Sequence, residues 1–181
     1  MMDRMEIRIA GKGGHGVILA SIILAEAAVN SGKYATQTQS YGPEARGGAC
    51  KAETIISEHK ISYPEITVPN FVMALTQNAA DKYIRNLPED TIVVLDSGVM
   101  PPEGASDYRL YRLPILETAE KKVGKALTAN IVAVGAINRI LNICSFEQLY
   151  ETVRNRVPKG TEELNLKALQ AGYEMDPEDK R

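Results

Sequence analysis

The chain has few of the residues from which metal centres and disulfide frameworks are built. Its 181 residues include only two cysteines, Cys50 and Cys144, and two histidines, His15 and His59. This set contains neither a zinc motif nor the clustered cysteines that hold an iron–sulfur cluster. We therefore expect this chain alone to bind no metal. The sparse cysteine is typical of a protein in a reducing cytoplasm.

The sequence also lacks an excess of charge and a long apolar run. Lys and Arg number 21 and Asp and Glu number 23, which leaves a formal net charge of −2 at pH 7 and no electrostatic basis for nonspecific nucleic-acid binding. No stretch of about 18 apolar residues occurs, and the first residues are too polar for a signal peptide. The length and the 44% hydrophobic content predict one domain, residues 1–175, followed by a charged tail, residues 176–181.

Hydrophobic patterning predicts alternating strands and helices, followed by a helical last third. The predicted strands are residues 6–10, 33–40, 49–57, 71–76, 91–95 and 108–113. The predicted helices are residues 17–30, 77–86, 128–142 and 161–173, with one more that begins at an Ser145/Gln148 capping box and ends before Pro158. Two apolar strands separated by a helix are typical of parallel strands covered on both faces. The predicted fold class is therefore an α/β three-layer sandwich with a mostly parallel sheet.

A first glycine motif lies between the first strand and the first helix and fits the G-x-G-x-x-G pattern: Gly11, Lys12, Gly13, Gly14, His15 and Gly16. Glycines at this place permit a tight turn and the close approach of a phosphate to the amides of the helix. An NAD site would also need a carboxylate in residues 34–39, and none is present. A Walker lysine is missing as well, because Val17 follows Gly16. An anion-binding loop and a turn that merely needs close packing both remain open.

A second glycine motif follows the second strand: Tyr41, Gly42, Pro43, Glu44, Ala45, Arg46, Gly47 and Gly48. The Arg46 guanidinium could hold a carboxylate or a phosphate with two hydrogen bonds, and Tyr41 offers a hydroxyl and a stacking face. The alternative is a tight turn in which Arg46 pairs with Glu44. Both glycine loops leave the carboxyl ends of early strands, where open α/β sheets bind ligands, and this favours a functional surface.

The remaining polar candidates do not form a catalytic set. Asn130 lies one turn into an otherwise apolar helix, so a buried amide there needs a partner in a ligand or in a facing loop. His15 is either a donor to a phosphate or a solvated loop residue. Cys50 has no adjacent histidine to activate it, and two histidines are too few for an argued Ser–His–Asp triad. The residues alone predict a binding domain or a subunit of a larger enzyme.

Four segments in chain order resemble the gamma subunit of 2-oxoacid:ferredoxin oxidoreductases: residues 11–17, 40–48, 128–136 and 163–168. The octapeptide Tyr-Gly-Pro-Glu-x-Arg-Gly-Gly at residues 41–48 is the most specific of them, and the likeness covers almost the whole chain. The family usually has Gln at the position of His15. Residues 34–41 and Ala45 look most like the 2-oxoglutarate members of the family, whereas pyruvate and branched-chain members often differ there.

This resemblance implies a Rossmann-like subunit of a cytoplasmic complex, in an anaerobic metabolism, that converts a 2-oxoacid and coenzyme A to an acyl-CoA and carbon dioxide and reduces ferredoxin. It places thiamine diphosphate and Mg²⁺ on the alpha and beta subunits, and iron–sulfur clusters on the beta and ferredoxin-like delta subunits. It gives this chain no catalytic residue. The two glycine loops and Asn130 become candidates for coenzyme A access or subunit contact: Gly11, Gly13, Gly14, His15, Gly16, Tyr41, Gly42, Pro43, Glu44, Arg46, Gly47, Gly48 and Asn130. Four alternatives remain open: the same role in a pyruvate or branched-chain 2-oxoacid enzyme, a stand-alone nucleotide- or coenzyme A-binding module, a scaffold without ligand, and a homodimer.

Overall fold

A computed structural model describes residues 3–39, 48–103 and 108–177 of the chain. One six-stranded sheet has the strand order β2-β3-β1-β4-β5-β6. The strands are β1 (Arg4–Lys12), β2 (Tyr34–Gln39), β3 (Ala49–Ser57), β4 (Phe71–Ala74), β5 (Ile92–Asp96) and β6 (Arg109–Leu113). β3 is antiparallel to both of its neighbours, and the other pairs are parallel. Every strand except β3 thus runs in one direction, and the predicted mostly parallel α/β sheet is confirmed.

The helices are α1 (Val17–Asn30), α2 (Gln77–Tyr83), α3 (Ile115–Glu117), α4 (Ala129–Leu141), α5 (Phe146–Arg156) and α6 (Glu162–Tyr173). The capping box before α5 is confirmed, because Ser145 Oγ accepts from the Gln148 amide while Gln148 Oε1 accepts from the Ser145 amide. The helix predicted over residues 77–86 is too long. It ends at Tyr83, and Asn86 adopts a positive φ of 53° that a helix does not tolerate.

Between β6 and α4 the chain forms helical turns that the sequence pattern did not reveal. α3 passes into a π-helical segment, Thr118–Val123, and a 3-10 turn, Ala126–Thr128, precedes α4. Gly124 ends the π-helical segment in a left-handed conformation. These short turns carry the chain from the end of β6 to the start of α4, and they set where α4 begins.

The alternation of β1 divides the core between the two faces of the sheet. Ile7 and Ile9 belong to the larger apolar cluster, which includes buried residues of α1, α4, α5 and α6. Ala10 belongs to a smaller cluster with Val72, Val93 and residues of α2. Among the described residues, α2 is the one helix of that second cluster. The sandwich therefore has three layers of very unequal size.

Helices α4 and α6 meet with their backbones in contact. A methyl group added at Gly135 would overlap the carbonyl oxygen of Leu169, and one added at Gly172 would overlap the carbonyl oxygen of Val132. Residues 129–138 are all buried within the domain. The small-residue segment at residues 128–136 therefore belongs to the core of the sandwich.

Candidate functional site

The strand order creates a crevice between β1 and β4 at the carboxyl edge of the sheet. From β1 the chain passes through α1 to β2 on one side, and from β4 it passes through α2 to β5 on the other side. Open α/β sheets bind ligands outside the carboxyl ends of their strands at such a divergence. The first glycine motif ends β1, and residues 75–77 follow β4, so both line this crevice.

Only part of the first glycine motif is a loop: its first two residues belong to β1, and the other four form a turn. β1 continues through Gly11 to Lys12, and the turn proper is residues 13–16. Gly16 adopts a left-handed conformation with φ of 68° as the residue before α1. A Cβ at Gly16 would lie 2.6 Å from Nδ2 of Asn130, and one at Gly11 would lie 3.0 Å from Nδ1 of His15. Close packing against the chain itself therefore accounts for the glycines at positions 11 and 16.

The start of α1 remains available for an anion. The first amide bonded within the helix is that of Ala20, which donates to Gly16 O at 3.1 Å. In the described part of the chain no side chain caps this helix end, and its first turn holds no acidic residue. The amides of residues 17–19 thus have no acceptor within the helix, and the positive end of the helix dipole lies with them at the start of α1. Close packing and anion binding are compatible in this turn.

Asn130 is the second residue of α4, so it lies in the first turn of the helix and not one turn into it. The helix begins one residue later than predicted, because a 3-10 turn occupies residues 126–128. The buried Asn130 side chain donates from Nδ2 to Gly16 O at 3.4 Å, across 114 residues of sequence. The structure thereby brings Asn130 to the first glycine motif, and the partner of its amide is the facing turn.

His15 packs its ring back onto Gly11. Nδ1 is buried and has no hydrogen-bond partner among the described residues, while the ring as a whole stays partly exposed. Burial lowers the pKa of His15, the charge of Lys12 lowers it further, and the Asp96 carboxylate acts in the opposite direction. His15 is therefore a neutral, partly buried ring at neutral pH, not a solvated loop residue.

The second glycine motif lies mostly outside the described residues. This applies to six predicted site residues: Tyr41, Gly42, Pro43, Glu44, Arg46 and Gly47. Gly48 is described and precedes β3, whose first residue Ala49 pairs with Lys12 of β1. The carboxyl end of β2 and the beginning of β3 are thus at the same sheet edge as the first motif. In dinucleotide-binding folds β2 lies directly beside β1; here β3 separates them by two strand spacings, about 10 Å.

A polar network beneath Gly48 was missed by the sequence reasoning. Tyr83 on α2 donates its hydroxyl to Ala49 O at 3.2 Å, and the Arg8 guanidinium lies 5.8 Å from the centre of the Tyr83 ring. The nearly buried Glu53 accepts from Arg8 Nε at 2.7 Å and from Lys51 Nζ at 2.9 Å. Arg8 and Glu53 are cross-strand partners in the β1–β3 register. The opposite charges of these two residues could have suggested the pair from the sequence, but only if the register of the two strands had been known.

A cleft of about 430 Å³ opens beside this network, and it carries charges of both signs. Its lining residues come from the start of β3 and from α2 with the residue that follows its last turn: Gly48, Ala49, Asn78, Asp81, Lys82 and Arg85. Lys82 and Arg85 supply positive charge there, and Asp81 supplies negative charge. The second glycine motif therefore ends at a polar surface with cationic side chains.

The described residues contain no group of three or more His, Cys, Asp and Glu side chains arranged to hold a metal ion. No helix within those ranges is long and apolar enough to cross a membrane. Burial raises the pKa of both thiols, that of Cys144 to about 11. Neither cysteine supplies a thiolate nucleophile near neutral pH.

Comparisons with known proteins agree over nearly the full chain. The family described as pyruvate ferredoxin/flavodoxin oxidoreductase matches residues 6–175. The 2-oxoglutarate synthase subunit KorC of Methanothermobacter thermautotrophicus is 43% identical, over 98% of this chain and 98% of that protein. The ketoisovalerate oxidoreductase subunit VorA of the same organism is 30% identical over 94% of this chain, which corresponds to 36% of VorA. The crystal structure of a keto/oxoacid ferredoxin oxidoreductase gamma subunit from Geobacter sulfurreducens superposes with a TM-score of 0.84 at 43% identity, covering 94% of this chain and 95% of that one.

Proposed function

Since the chain belongs to the pyruvate ferredoxin/flavodoxin oxidoreductase family, we propose that it is the gamma subunit of a coenzyme A-dependent 2-oxoglutarate:ferredoxin oxidoreductase. The complex oxidatively decarboxylates 2-oxoglutarate to succinyl-CoA and carbon dioxide and passes the electrons to ferredoxin, or runs in reverse. The observation that carries the 2-oxoglutarate assignment is the 43% identity to a 2-oxoglutarate synthase subunit, against 30% to a ketoisovalerate subunit.

In this proposal the chemistry belongs to the partner subunits. Alpha and beta subunits hold thiamine diphosphate with Mg²⁺, iron–sulfur clusters lie on the beta and ferredoxin-like delta subunits, and the assembled enzyme works in the cytoplasm. The gamma chain contributes assembly and access for coenzyme A. One feature supports that division: burial raises the thiol pKa values of Cys50 and Cys144. Neither cysteine thus offers a thiolate nucleophile near neutral pH.

The case for coenzyme A access rests on the carboxyl edge of the sheet. The uncapped start of α1 and the exposed Lys12 place positive potential at the crevice, and Asn130 holds the turn between them. Coenzyme A carries phosphates at its nucleotide end, which is the chemistry that such an edge binds. The cleft beside Gly48, to which Lys82 and Arg85 add positive charge and Asp81 adds negative charge, lies at the same sheet edge.

The test is an anaerobic affinity purification of the tagged chain from its native cell, followed by mass spectrometry and a viologen-reduction assay. We expect a thiamine-dependent subunit pair and a small iron–sulfur protein to co-elute, with activity on 2-oxoglutarate well above that on pyruvate. Activity that favours another 2-oxoacid would contradict the substrate assignment alone. A chain that elutes without thiamine diphosphate or iron would contradict the role as a gamma subunit.

A further inference from the structure

The two nitrogens of the His15 ring have different surroundings. Nδ1 is buried without a partner, and it sits so close to Gly11 that a Cβ there would be 3.0 Å away. Nε2 is not among the buried unpartnered atoms, and the ring remains partly exposed. The ring therefore has one nitrogen sealed against the end of β1 and one that is open to a ligand.

This asymmetry determines where the ring carries its proton. A buried N–H without an acceptor is among the costliest defects in a folded protein, while an unused acceptor is better tolerated. The proton of the neutral ring consequently resides on Nε2. Full protonation would require an N–H at the sealed Nδ1, so the ring stays neutral and acts as a hydrogen-bond donor from Nε2.

The charged groups that act on the ring do not occupy this donor. Asp96, at the end of β5, is already engaged: Oδ1 accepts from the Gly98 amide at 3.0 Å and Oδ2 from the Leu116 amide at 2.9 Å. Lys12 is the other group that acts on the ring, and it offers only donors. Nε2–H thus lies at the mouth of the β1–β4 crevice beside a lysine and a helix start, where it can donate to an anionic acceptor.

We propose that His15 is a positioning residue that donates a neutral hydrogen bond from Nε2 to a phosphate oxygen of coenzyme A at the β1–β4 crevice. The proposal rests on the coenzyme A role given above and adds the residue, the atom and the protonation state. A neutral donor directs the phosphate without adding a positive charge. Most of the electrostatic attraction for the coenzyme A phosphate then comes from Lys12 and the first amides of α1.

The decisive experiment compares His15→Gln with His15→Asn in the assembled complex. The Gln amide nitrogen reaches the position of Nε2, whereas the Asn amide reaches only that of Nδ1. We expect H15Q to keep the KM for coenzyme A within about twofold of the parent, and H15N to raise it by roughly tenfold, the loss of one hydrogen bond to a charged group. The KM for 2-oxoglutarate stays unchanged in both variants. His59→Asn is the matched control, because His59 is exposed and follows β3 at the opposite sheet edge.

Several results would overturn this role. An unchanged coenzyme A KM in an active H15N complex would do so, and so would an equal rise in both variants, which indicates packing alone. If H15N does not assemble, H15Q still decides: a tenfold rise in its KM contradicts the proposal. A parent that binds coenzyme A more tightly at pH 6 than H15Q does would indicate a cationic His15. Absence of 2-oxoacid activity in the parent complex contradicts the proposed function instead.

Discussion

The contact between α4 and α6 makes Gly172→Ala a severe change. In an exposed helix this substitution stabilises by about 1 kcal/mol, because alanine has the higher helix propensity. Here the added methyl group would overlap the carbonyl oxygen of Val132, which is a backbone atom of α4, and the methyl group itself is fixed directly to the backbone of α6. Neither can move without shifting a whole helix.

Overpacking of this kind costs about 1–3 kcal/mol even where side chains can adjust, and a backbone collision lies at or above the upper end. The net change is thus a loss of about 2 kcal/mol or more, of the opposite sign to helix propensity. For a chain of this size that loss lowers Tm by roughly 4–8 °C.

The assay is thermal unfolding of the purified chain followed by circular dichroism. Gln170→Ala, on the exposed side of α6, is the matched control and should change stability by no more than about 0.5 kcal/mol. A Gly172→Ala protein with an equal or higher Tm would refute the close approach of the two helices.

Three further predictions concern the surroundings of the site and the buried thiol. Tyr83→Phe removes the hydrogen bond to Ala49 O but keeps the ring beside Arg8, so urea unfolding should show a loss of about 0.5–1.5 kcal/mol; no loss would mean that the hydroxyl does not hold the start of β3. The lowered pKa of folded His15 means that the unfolded chain takes up a proton first as pH falls below the ordinary value of 6.5, so stability declines from that pH downward. The decline should be smaller in H15Q, and identical curves would contradict the burial of the ring. With its pKa raised to about 11, Cys144 should resist iodoacetamide at pH 8 in the folded chain and react once urea unfolds it; rapid labelling of the folded chain would contradict its burial.

Local patterns were sufficient for much of the fold. The apolar runs of β4 and β5 and the Ser145/Gln148 box rest on neighbours within a few residues, and the structure contains them as predicted. The position of β3 between β1 and β2 depends on pairing between distant strands, which periodicity does not encode. The π-helical segment at residues 118–123 has no sequence signal of its own.

The candidate site divides in the same way. Gly11 to Gly16 could be singled out from a strand, a motif and a helix in succession. The hydrogen-bond partner of Asn130 could not be predicted from the sequence, because Gly16 lies 114 residues away. The Arg8–Glu53 pair required the register, and the sealed Nδ1 of His15 required the position of Gly11 beneath the ring. Contacts that depend on the folded arrangement are thus the part that a single sequence does not disclose.

The most direct test of the proposed role is an add-back experiment with a complex that lacks this chain. We expect the depleted complex to retain thiamine diphosphate and iron–sulfur clusters but to lose coenzyme A-dependent reduction of viologen by 2-oxoglutarate. Activity should return when the purified chain is added. Full coenzyme A-dependent activity without the chain, at an unchanged KM for coenzyme A, would contradict it.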